Sequence, residues 1–260
     1  MVYATFSQGY KSGGINLAGI PLDANNNPVA PTALIKPENV TTYEVGVKNE
    51  FFQKRLVLNV DAFDTEDKNY QVNVVDSGPG ALRGYLANIP KVRSKGFELD
   101  SAFAVSGSLS GYLAGAWTQG EYVSFPNGPC PLELIGASTT ACNLNGKPLP
   151  GLSPWSVSGG GEYRLPIEDG MAYVGVDASY RSSAYSDASD SKDLKIADYG
   201  LINLRAGYVF VSGWEVFVWV KNLLDQHYFQ YLQPQTGNSG EVVGLLGDPR
   251  TIGLSVRVKY

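Results

Sequence analysis

The last ten residues, Thr251-Ile-Gly-Leu-Ser-Val-Arg-Val-Lys-Tyr260, alternate without a break. Ile252, Leu254, Val256, Val258 and Tyr260 share one parity, and Thr251, Gly253, Ser255, Arg257 and Lys259 the other. Successive side chains of an extended chain point to opposite faces, so this spacing builds a strand with one apolar and one polar side. Ten residues suits a tilted strand that crosses a bilayer, whereas strands of soluble sheets usually run to about five or six.

The same rhythm recurs upstream. Ile202, Leu204, Ala206 and Tyr208 alternate with Asn203, Arg205 and Gly207. Ala172 to Tyr180 and Trp155 to Tyr163 repeat it, as do segments around Phe97, Leu56 to Ala62 and Tyr43 to Val47. With less regular segments at Tyr112 to Tyr122 and Trp214 to Lys221, and one at Val2 to Gly9, about ten strands are expected. Short turns near 52–55, 106–108, 167–170 and 211–213 alternate with long connections near 10–40, 67–91, 123–153, 181–197 and 225–249. A soluble sandwich has no reason to keep that asymmetry, while outer-membrane barrels place tight turns on the periplasmic side and long loops outside. The expected fold is therefore all-β, a transmembrane antiparallel up-and-down β-barrel segment. Its polar face sets Glu44, Lys48, Asp61, Glu98, Glu162, Asp177, Arg205 and Arg257 toward the lumen. Tyr163, Tyr180, Tyr208 and Tyr260 fall near strand ends on the apolar face, where an interfacial aromatic girdle belongs.

Composition agrees. Thirty Gly and 16 Tyr against 2 Met suit strands and turns better than helices. A net charge of −5 argues against a nucleic-acid partner. No stretch makes a transmembrane helix, because the longest uncharged run, Ser101 to Gly120, is broken by glycines and serines. Cys130 and Cys142 lie in one Pro- and Gly-flanked segment with eleven residues between them. That context points to a loop-closing disulfide, and no metal site is expected without further Cys or His nearby.

Several segments resemble TonB-dependent outer-membrane receptors. Lys36-Pro-Glu-Asn-Val-Thr-Thr-Tyr-Glu-Val-Gly-Val-Lys48 is similar to the family's Lys-Pro-Glu…Tyr-Glu-x-Gly-x-Lys strand. Val92-Arg-Ser-Lys-Gly-Phe-Glu-Leu99 resembles its Gly-x-Glu strand, and Leu152-Ser-Pro-Trp-Ser156 the start of another. Val220-Lys-Asn-Leu-Leu-Asp-Gln-His-Tyr228 resembles the penultimate-strand signature, and Tyr3 to Gly14 a strand-to-loop passage. Five such motifs follow the family order over nearly the whole chain. The resemblance implies a Gram-negative outer-membrane importer, most commonly of ferric siderophores, driven by TonB through a plug domain inside a barrel of about 22 strands. Residues 1–260 are not expected to include a signal peptide, TonB box or plug. Residues 1–260 are thus expected to be the C-terminal barrel segment, supplying wall and extracellular loops among outer-membrane lipid. Tyr260 resembles the terminal aromatic read by the barrel assembly machinery.

Ligand contacts are expected where loops meet the lumen, at Arg83, Tyr85, Trp117, Tyr122, Arg181, Tyr185, His227, Tyr228 and Tyr231. Arginine pairs with anionic ferric chelates and aromatic rings stack on their arms. No cofactor or catalytic residue is expected. A competing reading is a complete ten-strand barrel enzyme of omptin type, using His227 with Asp225 nearby to activate water. A passive porin is a third.

Overall fold

A computed structural model describes the chain except residues 17–26, 28, 76–83, 135–140, 236–240 and 259–260. Ten strands form one antiparallel sheet in chain order. They are β1 (Val2–Lys11), β2 (Glu38–Phe51), β3 (Leu56–Val75), β4 (Gly84–Ala104) and β5 (Leu109–Ser124), followed by β6 (Trp155–Ile167), β7 (Gly170–Arg181), β8 (Tyr199–Phe210), β9 (Trp214–Lys221) and β10 (Thr251–Val258). Among the described residues β1 and β10 do not pair with each other, so these ten strands do not close on themselves. The expectation of a complete ten-strand barrel is therefore set aside.

Register carries the sequence alternation across the whole sheet. Val256 lies opposite Val216, which is matched in turn by Tyr208 and Ala172. Ala62 pairs with both Val45 and Phe97. This apolar face is bare: Ile252 is 73% exposed and Leu254 68%, as a lipid-facing surface must be. Aromatic rings bound it. Phe97, Trp117 and Trp155 cluster at one end, and Tyr208 and Phe210 meet edge-on at 4.7 Å near the other.

The short turns come from local conformations. Phe52, Gln53 and Lys54 take positive φ in succession, and Gly213 sits at φ 86° before β9. On the opposite side, β3 and β4 run far beyond the aromatic rings as a paired ribbon, with Lys68 opposite Lys91 and Val75 opposite Gly84. The expected long loop at 67–91 is thus mostly strand. The other long connections carry small hairpins at 14–15/34–35, 184–185/195–196 and 229–234/242–246.

These connections pack into a layer with its own core. Ile89, Val92, Tyr122, Phe125, Leu144 and Ala188 are buried together, with Tyr70, Val72 and Leu149 against them. Cys130 and Cys142 are joined by a disulfide within this layer. Polar ties fasten one connection to the next. Leu232 N donates to Ser186 Oγ at 2.9 Å, Lys192 N to Glu133 Oε1 at 2.6 Å, and Gly151 N to the Tyr185 carbonyl at 2.7 Å. Asn16 grips Leu86 of the ribbon through both its amide groups.

Candidate functional site

The inner face of the wall has large side chains lying flat. Tyr3 crosses Gly46 to donate to Glu44 at 2.7 Å, and a Cβ on Gly46 would meet that ring at 2.5 Å. The Glu-x-Gly-x-Lys pattern of β2 thereby has a steric reason, with Lys48 placed 5.2 Å over the same ring. Tyr112 of β5 likewise reaches over β6 to Asp177 of β7 at 2.9 Å, and Tyr173 of β7 reaches Glu215 of β9 at 2.7 Å. Arg205 lies across Gly175 and joins Glu162 at 3.0 Å and Asp177 beside it. Arg164 holds the other oxygen of Glu162, and Arg257 pairs with Glu215 at 2.9 Å. Charge-assisted bonds of this kind fix side chains against the wall.

The extracellular mouth combines a cation with stacked rings. Arg181 ends β7 in register with Tyr199 of β8 and Ser156 of β6. By parity with Asp177 and Arg205, Arg181 and Tyr199 both face the lumen. Tyr228 stacks on Tyr199, with ring centroids 4.2 Å apart and planes tilted 23°. Arg181 is exposed, and no described carboxylate pairs with it. The approach of Tyr228 relies on Gly247, where a Cβ would lie 2.1 Å from the ring. Asn222 sets the path of this connection. It is 4% exposed, accepts from Gln226 N at 2.8 Å, and donates to the Gln226 and Asp248 carbonyls, each at 3.0 Å. The Asn-Leu-Leu-Asp segment is therefore a brace between β9 and β10, with Asp225 accepting from Arg250 N at 2.9 Å.

The sequence candidates separate accordingly. At the mouth, register sets Arg181 against Tyr199, which the sequence reading passed over, and Tyr228 stacks on Tyr199. Its parity with Asn203 and Arg205 was the available signal. Trp117 does not join them: alternation turns it outward, 5.6 Å from Phe97 and 6.5 Å from Trp155, as part of the girdle. Tyr122 is 0% exposed inside the loop core rather than open to a ligand. Tyr185 lies in a loop hairpin beneath Lys195, Tyr231 is exposed on another, and Tyr85 is on the extended ribbon. Arg83 and Tyr260 lie outside the described residues. His227 is exposed, and no described side chain hydrogen-bonds its imidazole, while Asp225 is committed to Arg250. The expected His227–Asp225 pair does not form.

An open wall of lipid-facing strands, a polar lumen and a packed extracellular layer define an outer-membrane β-barrel. The family model described as TonB dependent receptor-like, beta-barrel matches residues 1–223, and the chain belongs to that family. The metal-pseudopaline receptor CntO of Pseudomonas aeruginosa is 26% identical over 260 residues, covering all of this chain and 31% of its own length. The ferric-pyoverdine M114 receptor PbuA of a Pseudomonas strain is 27% identical over 233 residues, covering 87% of this chain and 25% of PbuA. Among solved structures, the ferric yersiniabactin uptake receptor FyuA of Yersinia pestis superposes over the full chain and 35% of its own, with TM-score 0.74 and 19% identity. The chain thus spans about a quarter to a third of the length of these relatives. Outer-membrane placement follows from the family and the lipid-facing strands.

Proposed function

We propose that this chain is the C-terminal barrel wall and extracellular loop layer of a TonB-dependent importer of an anionic metal chelate, a ferric siderophore foremost. The observation that carries the reading is the mouth, where Arg181 is in register with Tyr199 and Tyr228 stacks on Tyr199. Guanidinium pairs with carboxylate or hydroxamate oxygens of a chelate, and the rings offer a flat apolar surface for its arms. Relatives described as receptors for metal-pseudopaline and ferric-pyoverdine support that class of cargo. Plug and TonB contact belong, in this reading, to a region N-terminal to the wall, and Tyr260 to assembly in the outer membrane.

The test is binding of a panel of ferric chelates to the purified protein, followed by intrinsic fluorescence, for the unmodified protein and for Arg181→Gln and Tyr228→Ala. Each substitution should raise Kd about tenfold, equivalent to about 1.4 kcal/mol. Binding unchanged in both variants would remove the mouth from the site. A liposome-swelling assay separates the porin reading: rapid solute entry would contradict a gated receptor.

A further inference from the structure

One stretch of the wall departs from the pattern that governs the rest. On β1, β2 and β6 to β10, every described residue of the outward parity is uncharged. On β3 and β4 the outward positions are apolar only as far as Ala62 and Phe97, and the next three on each strand are ionisable. Asp64, Glu66 and Lys68 of β3 lie opposite Lys95, Arg93 and Lys91 of β4, and Glu121 of β5 is matched with Arg93. These positions share a face with Phe97, whose ring packs 5.6 Å from Trp117 and 5.9 Å from Trp155. The charges therefore begin where the aromatic girdle ends. They stop at Asn69, which takes φ 56°, and the next matched pair, Tyr70 and Ile89, packs in or against the loop core.

Height decides what this band meets. Asp64 and Lys95, two residues beyond the rings, rise about 5 Å above them on strands tilted by about 45°, which is headgroup depth. Each further pair stands higher by about the same step. The charges form a held array. Arg93 Nε donates to Asp64 Oδ1 at 2.8 Å, and its Nη2 donates to the other carboxylate oxygen. Glu66 takes Lys91 at 2.5 Å and Lys68 at 3.5 Å, while Lys95 forms no ion pair among the described residues. An ammonium has three donors and a guanidinium five, so every cation here retains donors for another acceptor. We infer that Lys68, Lys91, Arg93 and Lys95 form a docking site for the phosphorylated saccharide headgroup of an outer-leaflet lipid. Two observations select that occupant. The patch continues a lipid-facing surface, so a lipid whose chains lie on Phe97 and Leu99 presents its headgroup to Lys95 and Arg93. Four cations against three carboxylates also leave the patch basic in a chain of net charge −5, which suits phosphate. The site is on the opposite side of the wall from Arg181 and does not depend on which chelate is imported.

The test is titration of the purified, delipidated protein in detergent with fluorescently labelled lipid A, and with the same lipid stripped of its phosphates. Lipid A should bind saturably and more weakly as salt is added, and loss of its phosphates should weaken it about tenfold or more. Lys95→Gln should weaken binding about fivefold, and the combined Lys68→Gln, Lys91→Gln and Lys95→Gln variant further still, while Lys95→Arg retains it. Removing Lys95 breaks no described ion pair, so the heat-modifiable gel mobility of that variant should stay that of an intact barrel. Equal affinity for the phosphate-free lipid overturns the assignment without any variant. So does unchanged binding in the combined variant, which would leave the charges as a solvated rim. Displacement by inorganic phosphate at the lipid's own concentration would reveal a site for free anions and overturn the lipid as occupant.

Discussion

In the wall, Ile252 and Leu254 are 73% and 68% exposed, whereas in the loop layer Ile89 and Tyr122 are 0% exposed. Both regions are β-structure from one chain, yet their apolar side chains are placed in opposite senses. Wall residues turn outward because lipid is their solvent, and between neighbouring strands backbone hydrogen bonds satisfy the polar groups that lipid could not. The lumen side is held by side-chain bonds such as Arg205 to Glu162 and Asp177. The loop layer stands in water and must bury a core as a soluble domain does, around Ile89, Val92, Tyr122, Phe125 and Leu144. A disulfide between Cys130 and Cys142 adds to it. Apolar burial in the described chain is thus concentrated above the membrane, and the two regions should fail under different insults.

The largest test of that contrast is Ile89→Ala. Removing a fully buried aliphatic side chain should cost about 2–5 kcal/mol of loop-layer stability. The loss should show as faster proteolysis between 123 and 153, with the heat-modifiable mobility of the barrel unchanged. Collapse of the barrel as well would show that the two regions fold as one unit. The reverse experiment is Leu254→Arg on the lipid face of β10. A charge there should cost about 2–4 kcal/mol near the bilayer midplane, read by urea unfolding in phospholipid vesicles. Loop proteolysis should stay as it was. A neutral effect would mean that this face does not meet lipid.

The difference between the regions also governs what was legible in the sequence. Wall strands announce themselves because the environment alternates with period 2, and Thr251 to Val258 has one lipid neighbour and one lumen neighbour throughout. The ribbon beyond residue 67 has no lipid side. Tyr70 and Val72 therefore turn inward to the loop core while Gln71 binds the Ser12 and Lys36 carbonyls, within the stretch 67–91 expected as a long loop. Tyr122 shows the same limit at the site. An aromatic in a long connection looks like a ligand contact, and its burial depends on Ile89 and Leu144, which are distant in sequence. Arg181 and Tyr228 were legible by residue type and position. The stacking of Tyr228 on Tyr199 was not, because it depends on the Asn222 brace and on the space above Gly247.

The smallest expected effect sharpens the comparison through pH. Asp67 lies on β3 four residues past Phe63, beyond the aromatic boundary, and is 8% exposed. Burial, a hydrogen bond shared with Glu38 and the charge of Glu38 push its pKa up to about 7, against some relief from Lys11. Tyr70, on the same strand, faces the same two carboxylates. The folded value is raised above the ordinary carboxylate value, so the protonated form is the one the fold favours. Its contribution is fully present below the unfolded pKa of 3.8 and is lost as pH rises through about 7. The loss is spread over the range from about pH 4 up to about pH 7. Proteolysis of the connections packed on the ribbon should accelerate over that interval, and Asp67→Asn should flatten the profile by keeping a neutral side chain at every pH. Barrel unfolding in vesicles should not follow the same curve, because Asp67 sits above the bilayer and its partner Glu38 ties the ribbon to β2 through Gln71 N at 2.7 Å. A profile that persists in Asp67→Asn would assign the transition to another group and detach this carboxylate pair from the stability of the loop layer.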